Sequence, residues 1–358
     1  MTDGTDDFIR SYRHSLLRNR LFIIVGIIAC VIVFGMELGF GTFHIGFFES
    51  YNILLDHILG YEQVDPWSIK ADNVIWNMRV PRAIGAIAVG AGLGVCGCAM
   101  QSSLKNPLAD PYTTGISSGA SLGASLAIIL GLTVVAGGYS DAGLIANAFV
   151  FSLIPSAVII LMTAFKKKVS TTAIILIGIA VMYTFSAITT LLKYVATEDS
   201  IQDLYYWGLG MMGKIDWDNV GVIVLAALFD IIVFQYMAKS LNILSMTEDN
   251  ANTLGVDRNK TRTRILIVVS LVTSVMVCFT GTIGFVGLIA PHIARMFIKN
   301  NNKYLVPASA VTGALVLICA DLISKNLTAT GMPIGLITSL IGGPLFLFLL
   351  IRQRKSNW

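Results

Sequence analysis

The stretch that decides the fold is RVPRAIGAIAVGAGLGVCGCAMQSSLKNPLADP, residues 79–111. It carries no charged side chain between Arg82 and Lys105, and glycine and alanine dominate its centre. Because an α-helix rises about 1.5 Å per residue and the hydrocarbon core of a bilayer is about 30 Å thick, such a run predicts a transmembrane helix. The two arginines at one boundary and the Lys-Asn-Pro turn at the other predict where this helix begins and ends.

The composition of the whole chain points to the same environment. Of 358 residues, 55% are hydrophobic and only 13% are charged, and the mean hydropathy is +0.75. Soluble domains average about 25% charged residues. The chain is therefore expected to be a polytopic membrane protein, and its net charge of +4, which lies mostly between apolar runs, indicates membrane topology rather than nucleic-acid binding.

Apolar runs recur along the chain and predict an all-α bundle of about ten transmembrane helices in one domain, residues 1–358. Residues 1–20 form a polar, basic N-terminal segment, and 41–78 form a polar loop with an amphipathic stretch. Because Lys and Arg concentrate in alternate connections, we place both termini in the cytoplasm. The predicted helices are 21–40, 82–102, 112–136, 142–165, 171–194, 218–238, 265–281, a short segment at 283–298 broken by Pro291, 304–323 and 334–351.

Small residues predict which helices lie inside the bundle. Gly90 and Gly94 in the second helix, and Gly119 and Gly123 in the third, have the GxxxG spacing. In lipid, helices associate through close packing, so small residues mark packed faces. The second helix, its NPLADP turn and the third helix also parallel the seventh helix, GLIAPH and the short eighth helix, which suggests an inverted repeat.

Residues suited to metal or covalent chemistry are scattered. The five cysteines lie in apolar segments and the four histidines show no paired ligand spacing, so no disulfide framework, metal site or enzyme centre is expected. The acids Glu37 and Asp230 lie in or near predicted helices. Buried acids in membranes are functional candidates, but for Asp230 we favour a structural hydrogen-bonding role. For His292 and Arg295, a gating role and helix-end capping both stay open.

Seven motifs together resemble the FecCD-type permease subunit of ABC importers for iron-siderophores, haem and cobalamin. They follow the order of that family along nearly the whole chain. The motifs are RVPR (79–82), KNPLADPYTTGISSGA (105–120), YYWGLG (205–210), EDNANTLGV (248–256), GTIGFVGLIAPHIAR (281–295), ADLISK (320–325) and MPIGLITSLIGGPLFLFLL (332–350).

The resemblance implies a transport subunit of the cell membrane rather than an enzyme. It implies partners: a second permease copy or a homologous permease, two ATP-binding subunits inside, an extracytoplasmic binding protein outside, and membrane lipid. ATP and Mg would be bound by the partner ATPase and no cofactor by this chain, and the sequence indeed lacks a GxxxxGK[ST] motif. The ligand, among chelates of these classes, is not fixed by the sequence.

The resemblance also implies three groups of functional residues. Arg79, Arg82 and Lys325 are expected to dock the binding protein, with Lys325 keeping the charge but not the planar fork of arginine. An inner gate is expected at Asn106, Leu108, Thr171 and Thr172. A cytoplasmic coupling loop, 247–261, is expected to contact the ATPase through Glu248, Asp249, Ala251, Leu254 and Gly255.

Each assignment has a plainer alternative. The alternative for the arginines is to anchor a helix to lipid headgroups, that for the Asn-Pro turn is to stop a helix, and that for the loop is to link two helices. The alternative for the whole chain is an ion-coupled secondary transporter of a small molecule. Such carriers keep several ionisable groups near the middle of the membrane, and this sequence offers essentially Asp230.

Overall fold

Helices make up all regular secondary structure in the computed structural model, which describes residues 3–61, 63–135, 140–165, 171–246, 254, 256–328 and 331–352. This confirms the all-α prediction. The α-helices are α1 (Asp3–Gly39), α2 (Phe47–Leu59), α3 (Pro66–Asn73), α4 (Val80–Leu104), α5 (Ile116–Leu130), α6 (Asp141–Phe165), α7 (Thr171–Tyr194), α8 (Glu198–Gly208), α9 (Trp217–Tyr236), α10 (Ala238–Leu244), α11 (Arg258–Thr280), α12 (Val286–Ile298), α13 (Asn302–Leu327) and α14 (Ile334–Arg352).

Ten apolar helices in the described residues agree with the predicted number of crossings. Seven are long and apolar enough to span a membrane, and they belong to α1, α4, α6, α7, α9, α11 and α13. Three shorter apolar helices complete the set: Ile116–Leu130, Val286–Ile298 and Ile334–Phe348. The chain is a multi-pass membrane protein.

Helix α4, which contains most of the stretch 79–111, continues a helical segment that begins earlier than the sequence predicts. A π-helix, Val74–Arg79, joins α3 to α4, so that one helical segment runs from Pro66 to Leu104. The backbone N–H of Val80 bonds to the carbonyl of Ile75, five residues earlier. Pro81 has no N–H, and its ring clashes with the usual carbonyl partner, so a wider turn ahead of it keeps the helix continuous.

Three other boundaries correct the sequence prediction. The third helix is a 3₁₀ turn, Pro111–Thr114, followed by α5, because Gly115 has a φ of 89°. The seventh begins at Arg258 rather than 265, since the Asp257 side chain accepts the Lys260 N–H and caps it. The eighth is not broken: Pro291 lies inside a continuous α12.

Helix α4 is the centre of the bundle. The most apolar window of its segment is 89% buried inside the chain, against 17% for α7. A Cβ atom at Gly90 would overlap the carbonyl of Gly313 in α13, and one at Gly97 would overlap the carbonyl of Gly287 in α12. The glycines therefore let backbones touch, which confirms the interior position predicted for this helix.

The third predicted helix is packed in the same way. A Cβ at Gly119 would overlap the Phe151 carbonyl of α6, and one at Gly123 would overlap the Asn147 carbonyl. The Asn147 side chain also donates to the Gly123 carbonyl at 3.2 Å. The pair α5 and α6 thus forms a second packed unit beside α4.

The bundle has two ends, the rim and the base. We call the rim the end where α1 ends at Gly39 and α4 begins at Val80. We call the base the end where α4 ends at Leu104 and α11 begins at Arg258. The sequence predicts that the base faces the cytoplasm and the rim faces outward.

Substitution of Gly97, where an added Cβ atom would come closest to a backbone atom, tests the packing of α4. We expect Gly97→Ala to lower the unfolding free energy by about 1–3 kcal/mol, because the added methyl group meets a backbone carbonyl that cannot rotate away. Gly221→Ala in α9 is the matched control, since no atom lies within 4 Å of a Cβ there. It should be neutral or slightly stabilising. Thermal unfolding of both variants in nanodiscs checks this, and equal effects would contradict the packing account.

Candidate functional site

Arg79, the last residue of the π-helix, is buried at the rim. Its guanidinium donates to the backbone carbonyls of Leu38, Gly39 and Phe43, with the Gly39 oxygen 3.0 Å from Nη1. Gly41 makes room for it, since a Cβ there would lie 2.8 Å from Nη2. Arg79 thus ties the end of α1 and the following turn to the start of α4.

Arg82, one turn further along, forms a two-point ion pair with α13. Its Nε lies 2.8 Å from Oδ2 of Asp321, and its Nη2 lies 2.7 Å from Oδ1. The Asp321 side chain is fully buried, whereas the Arg82 side chain is 24% exposed. Two parallel N–H···O bonds fix the plane of a guanidinium as well as its position.

Lys325 and Glu37 form a second buried pair at the rim. The Nζ atom of Lys325 lies 2.5 Å from Oε1 of Glu37, and it also donates to the Glu37 backbone carbonyl. The side chain of Lys325 is 10% exposed and that of Glu37 is fully buried. This pair joins α13 to α1.

The structure therefore brings the three predicted docking cations together at the rim. Each of them already has a partner within the chain, and Arg82 keeps the most exposed side chain. Their docking role stays a prediction. Sequence reasoning missed Asp321 as a partner, although one signal was present: an acid inside an apolar helix, four residues before Lys325.

The predicted gate turn lies at the base. Lys105 has a φ of 50° and ends α4, and the Asn106 side chain then accepts the Leu108 N–H at 3.0 Å. Leu108 is 45% exposed. Thr171 and Thr172 begin α7, but their side chains lie outside the described residues, so the gate stays a prediction.

The rest of this turn is anchored deep in the bundle. Oδ1 of Asp110 accepts the Tyr112 N–H at 3.1 Å and caps the 3₁₀ turn. The Tyr112 hydroxyl in turn accepts the Ile283 N–H at 3.3 Å. Burial raises the pKa of Asp110 from 3.8 to about 6, and the Tyr112 N–H opposes that rise only in part. The NPLADP turn is thus held against the segment leading into α12.

Asp230 lies at the junction of α4, α9 and α11 and is fully buried. The Cys96 thiol donates to its Oδ1 at 3.5 Å. Its Oδ2 has no hydrogen-bond partner among the described residues, so the structural hydrogen-bonding role stays a prediction.

His292 and Arg295 face different neighbours. Nη1 of Arg295 donates to the Gln101 side chain of α4 at 3.0 Å. The His292 ring packs edge-on against Phe346 of α14, with centroids 6.2 Å apart. The structure therefore ties Arg295 to α4 and His292 to the last helix.

The predicted coupling residues fall mostly outside the described residues. Glu248, Asp249, Ala251 and Gly255 are among those that are not described, and Leu254 is 56% exposed. The flanks of the loop are fixed at the base, where Arg258 donates to the Met246 carbonyl at 2.8 Å. The coupling role stays a prediction.

Known proteins match this chain over most of its length. Residues 27–352 match the model of the FecCD transport family. The chain belongs to the FecCD transport family. Among its relatives are the hemin transport system permease protein HmuU of Yersinia pestis, 34% identical over 81% of this chain and 88% of that protein, and the vitamin B12 import system permease protein BtuC of Serratia proteamaculans, 33% identical over 81% and 85%.

A solved structure shares the fold of this family member. It is an inward-facing conformation of a transporter described as of the metal-chelate ABC type, with a TM-score of 0.80 and 29% identity. The likeness covers 92% of this chain and 99% of that one.

The raised pKa of Asp110 predicts that the stability of the protein depends on pH. A carboxyl whose pKa is higher when folded adds stability below the unfolded pKa and loses it as pH rises through the folded one. Replacing it by Asp110→Asn, which keeps an oxygen for the Tyr112 N–H, should therefore stabilise the protein by up to about 3 kcal/mol at pH 7.5 and by less than about 1 kcal/mol at pH 4.

Unfolding of purified protein across this pH range measures the difference. Asp257→Asn is the control, because hydrogen bonds lower the pKa of this exposed helix cap and no gain at high pH should follow. A pH-independent effect of Asp110→Asn would contradict the account.

Proposed function

We propose that this chain is the permease subunit of an ABC importer that carries a bulky chelate, such as an iron-siderophore, haem or cobalamin-like ligand, into the cytoplasm. It works beside a second permease copy or a homologous permease. Two ATP-binding subunits bind the base, and an extracytoplasmic binding protein delivers the ligand to the rim. The observation that carries the proposal is the likeness of 92% of the chain to a transporter described as of the metal-chelate ABC type.

The exposed face of α7 supports a pathway or partner surface beside this chain. Tyr183, Thr184, Ser186 and Thr190 are all exposed there. The hydroxyls of Thr184 and Thr190 donate to carbonyls four residues earlier, at 3.0 and 2.8 Å. Polar side chains in membrane helices usually face protein or water rather than lipid, so this face suits a subunit interface or a wet pathway.

The ionisable groups favour this proposal over an ion-coupled carrier. Among the described residues, Glu37 and Asp321 are paired with cations at the rim, and Asp230 contacts the Cys96 thiol. A carrier that moves protons or sodium needs ionisable groups that exchange ions along its pathway. These three acids are fully buried within the chain, and the buried Asp110 accepts the Tyr112 N–H as the cap of the 3₁₀ turn.

The residue roles follow from the ends of the bundle. Asn106 and Leu108, with Thr171 and Thr172, form the inner gate at the base. The loop 247–261 receives the ATPase, and the rim cations receive the binding protein. The binding protein selects the chelate, since two relatives of this chain carry the names of different cargoes, hemin and vitamin B12.

Substitution of Leu254, the exposed leucine of the coupling loop, tests the contact with the ATPase. Leu254→Asp should weaken binding of the cognate ATP-binding subunit at least about tenfold, because it places a charge in the core of an interface. Leu132→Asp is the matched control: this leucine is 59% exposed and follows α5, on a connection predicted to face outward. Binding of the ATP-binding subunit to nanodiscs holding each variant gives the measurement.

Equal binding by both variants, with both folded, would remove the loop from the ATPase interface. Failure of the unaltered chain to bind its cognate ATP-binding subunit would contradict the proposed function itself.

A further inference from the structure

Helix α2 at the rim carries an exposed apolar surface. Phe48, Leu55, Ile58 and Leu59 are all exposed, Phe48 to 80%. Successive residues of an α-helix are about 100° apart around its axis, so these four and the half-buried Tyr51 share one arc of about 100°. We call these five residues the apolar arc. Single exposed apolar side chains are ordinary, but a continuous arc of them indicates a surface that meets something apolar.

The rest of α2 is divided between a packed face and a polar face. On the packed face, the Ser50 hydroxyl donates to the Gly35 carbonyl of α1 at 3.4 Å. The polar face consists of Glu49, Asn52 and Asp56, which lie on the other side of the apolar arc from Ser50. A helix with an apolar face and a separate charged face suits the boundary between hydrocarbon and water.

Tyr51 shows in which direction the apolar arc faces. Its hydroxyl donates to the Val31 carbonyl of α1, and a Cβ atom at Gly35 would overlap its ring. Val31 precedes Gly39, where α1 ends, by about 12 Å of helix at 1.5 Å per residue. Tyr51 therefore points along the membrane-spanning α1 toward the middle of the bilayer. Val31 is itself an exposed apolar residue, so the arc continues the exposed apolar side of α1.

The other end of α2 is fixed at the start of α9. The His57 ring stacks on Trp76 with centroids 4.2 Å apart, and Trp76 lies 4.7 Å from Trp217 in the same way. Nδ1 of His57 is also 2.8 Å from Oδ1 of Asp72 in α3. Trp217 is the first residue of a membrane-spanning helix, and tryptophan rings concentrate at the level of the lipid headgroups. These contacts place α2 where the bilayer meets water.

We propose that α2 is an interfacial helix that binds the rim-side leaflet of the bilayer. The apolar arc lies among the lipid acyl chains, and Glu49, Asn52 and Asp56 face water. The helix contains no Lys or Arg, so burial of apolar surface holds it there rather than attraction to anionic lipids. The inference goes beyond the proposed function and does not depend on it, because an ion-coupled carrier with this rim would bind lipid in the same way.

Two neighbouring residues on different faces test this orientation. A nitroxide is attached at Leu55→Cys or at Asp56→Cys in phosphatidylcholine nanodiscs, and its collisions with oxygen and with a water-soluble nickel chelate are measured. The oxygen-to-nickel ratio should be at least about threefold higher at Leu55→Cys, because the apolar face of an interfacial helix lies about 5–10 Å into the boundary of headgroups and acyl chains. Ile28→Cys, on the exposed side of α1, gives the reading for a side chain in lipid.

The controls keep this comparison decisive. The unaltered chain, labelled in the same way, gives the background from its own five cysteines. Phe48→Cys and Glu49→Cys repeat the comparison two turns earlier if a variant fails to fold. Equal ratios at neighbouring positions in folded protein would overturn the proposal. The ratios should stay the same when phosphatidylglycerol is added, and a high ratio that required this anionic lipid would contradict attachment by apolar burial.

Two protein partners could also cover the apolar arc, and the same labels recognise them. If the arc received a binding protein, the label at Leu55→Cys would collide mainly with the nickel chelate until the cognate binding protein was added. If it met a second copy of this chain, labels on the two copies would broaden each other's spectra, and dilution with unlabelled chain would remove the broadening. Either result would overturn the assignment to lipid, and we expect neither.

Discussion

The contact of the α4 backbone with α12 and α13 is the constraint on which the rest of the molecule depends. In lipid the helices gain no hydrophobic free energy by leaving apolar surroundings, so they associate where their backbones approach closely. At Gly90 and Gly97 no side chain separates α4 from its neighbours, and a methyl group at either would overlap a carbonyl. This packing buries α4 at the centre of the bundle. The residues of the rim and of the base lie at the two ends of this helix.

The rim shows why charged groups persist inside this bundle. Glu37 and Asp321 are fully buried, and each pairs with a cation on another helix. Desolvating such pairs costs free energy that their attraction offsets only when the geometry is good, so they specify arrangement more than stability. Here they fix how α1, α4 and α13 meet.

Much of this architecture can be predicted from the sequence. Uncharged runs long enough to cross a bilayer predicted the ten apolar helices, and glycine spacing predicted the interior position of α4. Both signals lie within single stretches of the sequence. The π-helix before Pro81 was missed, because a proline in the first turn of a helix also suits a helix that simply begins there. The Arg82–Asp321 pair was also missed, because the two residues are separated by 239 positions and only the packing of α4 on α13 joins them.

The source of energy for transport distinguishes the two functions that the sequence leaves open. Proteoliposomes would hold the unaltered chain with its cognate ATP-binding subunit, and haemin, cobalamin and a ferric siderophore would each be supplied with the cognate binding protein. Uptake of one of them should require ATP on the side of the base and the binding protein on the side of the rim, and a proton or sodium gradient should not replace ATP. Uptake driven by such a gradient without ATP would contradict the account.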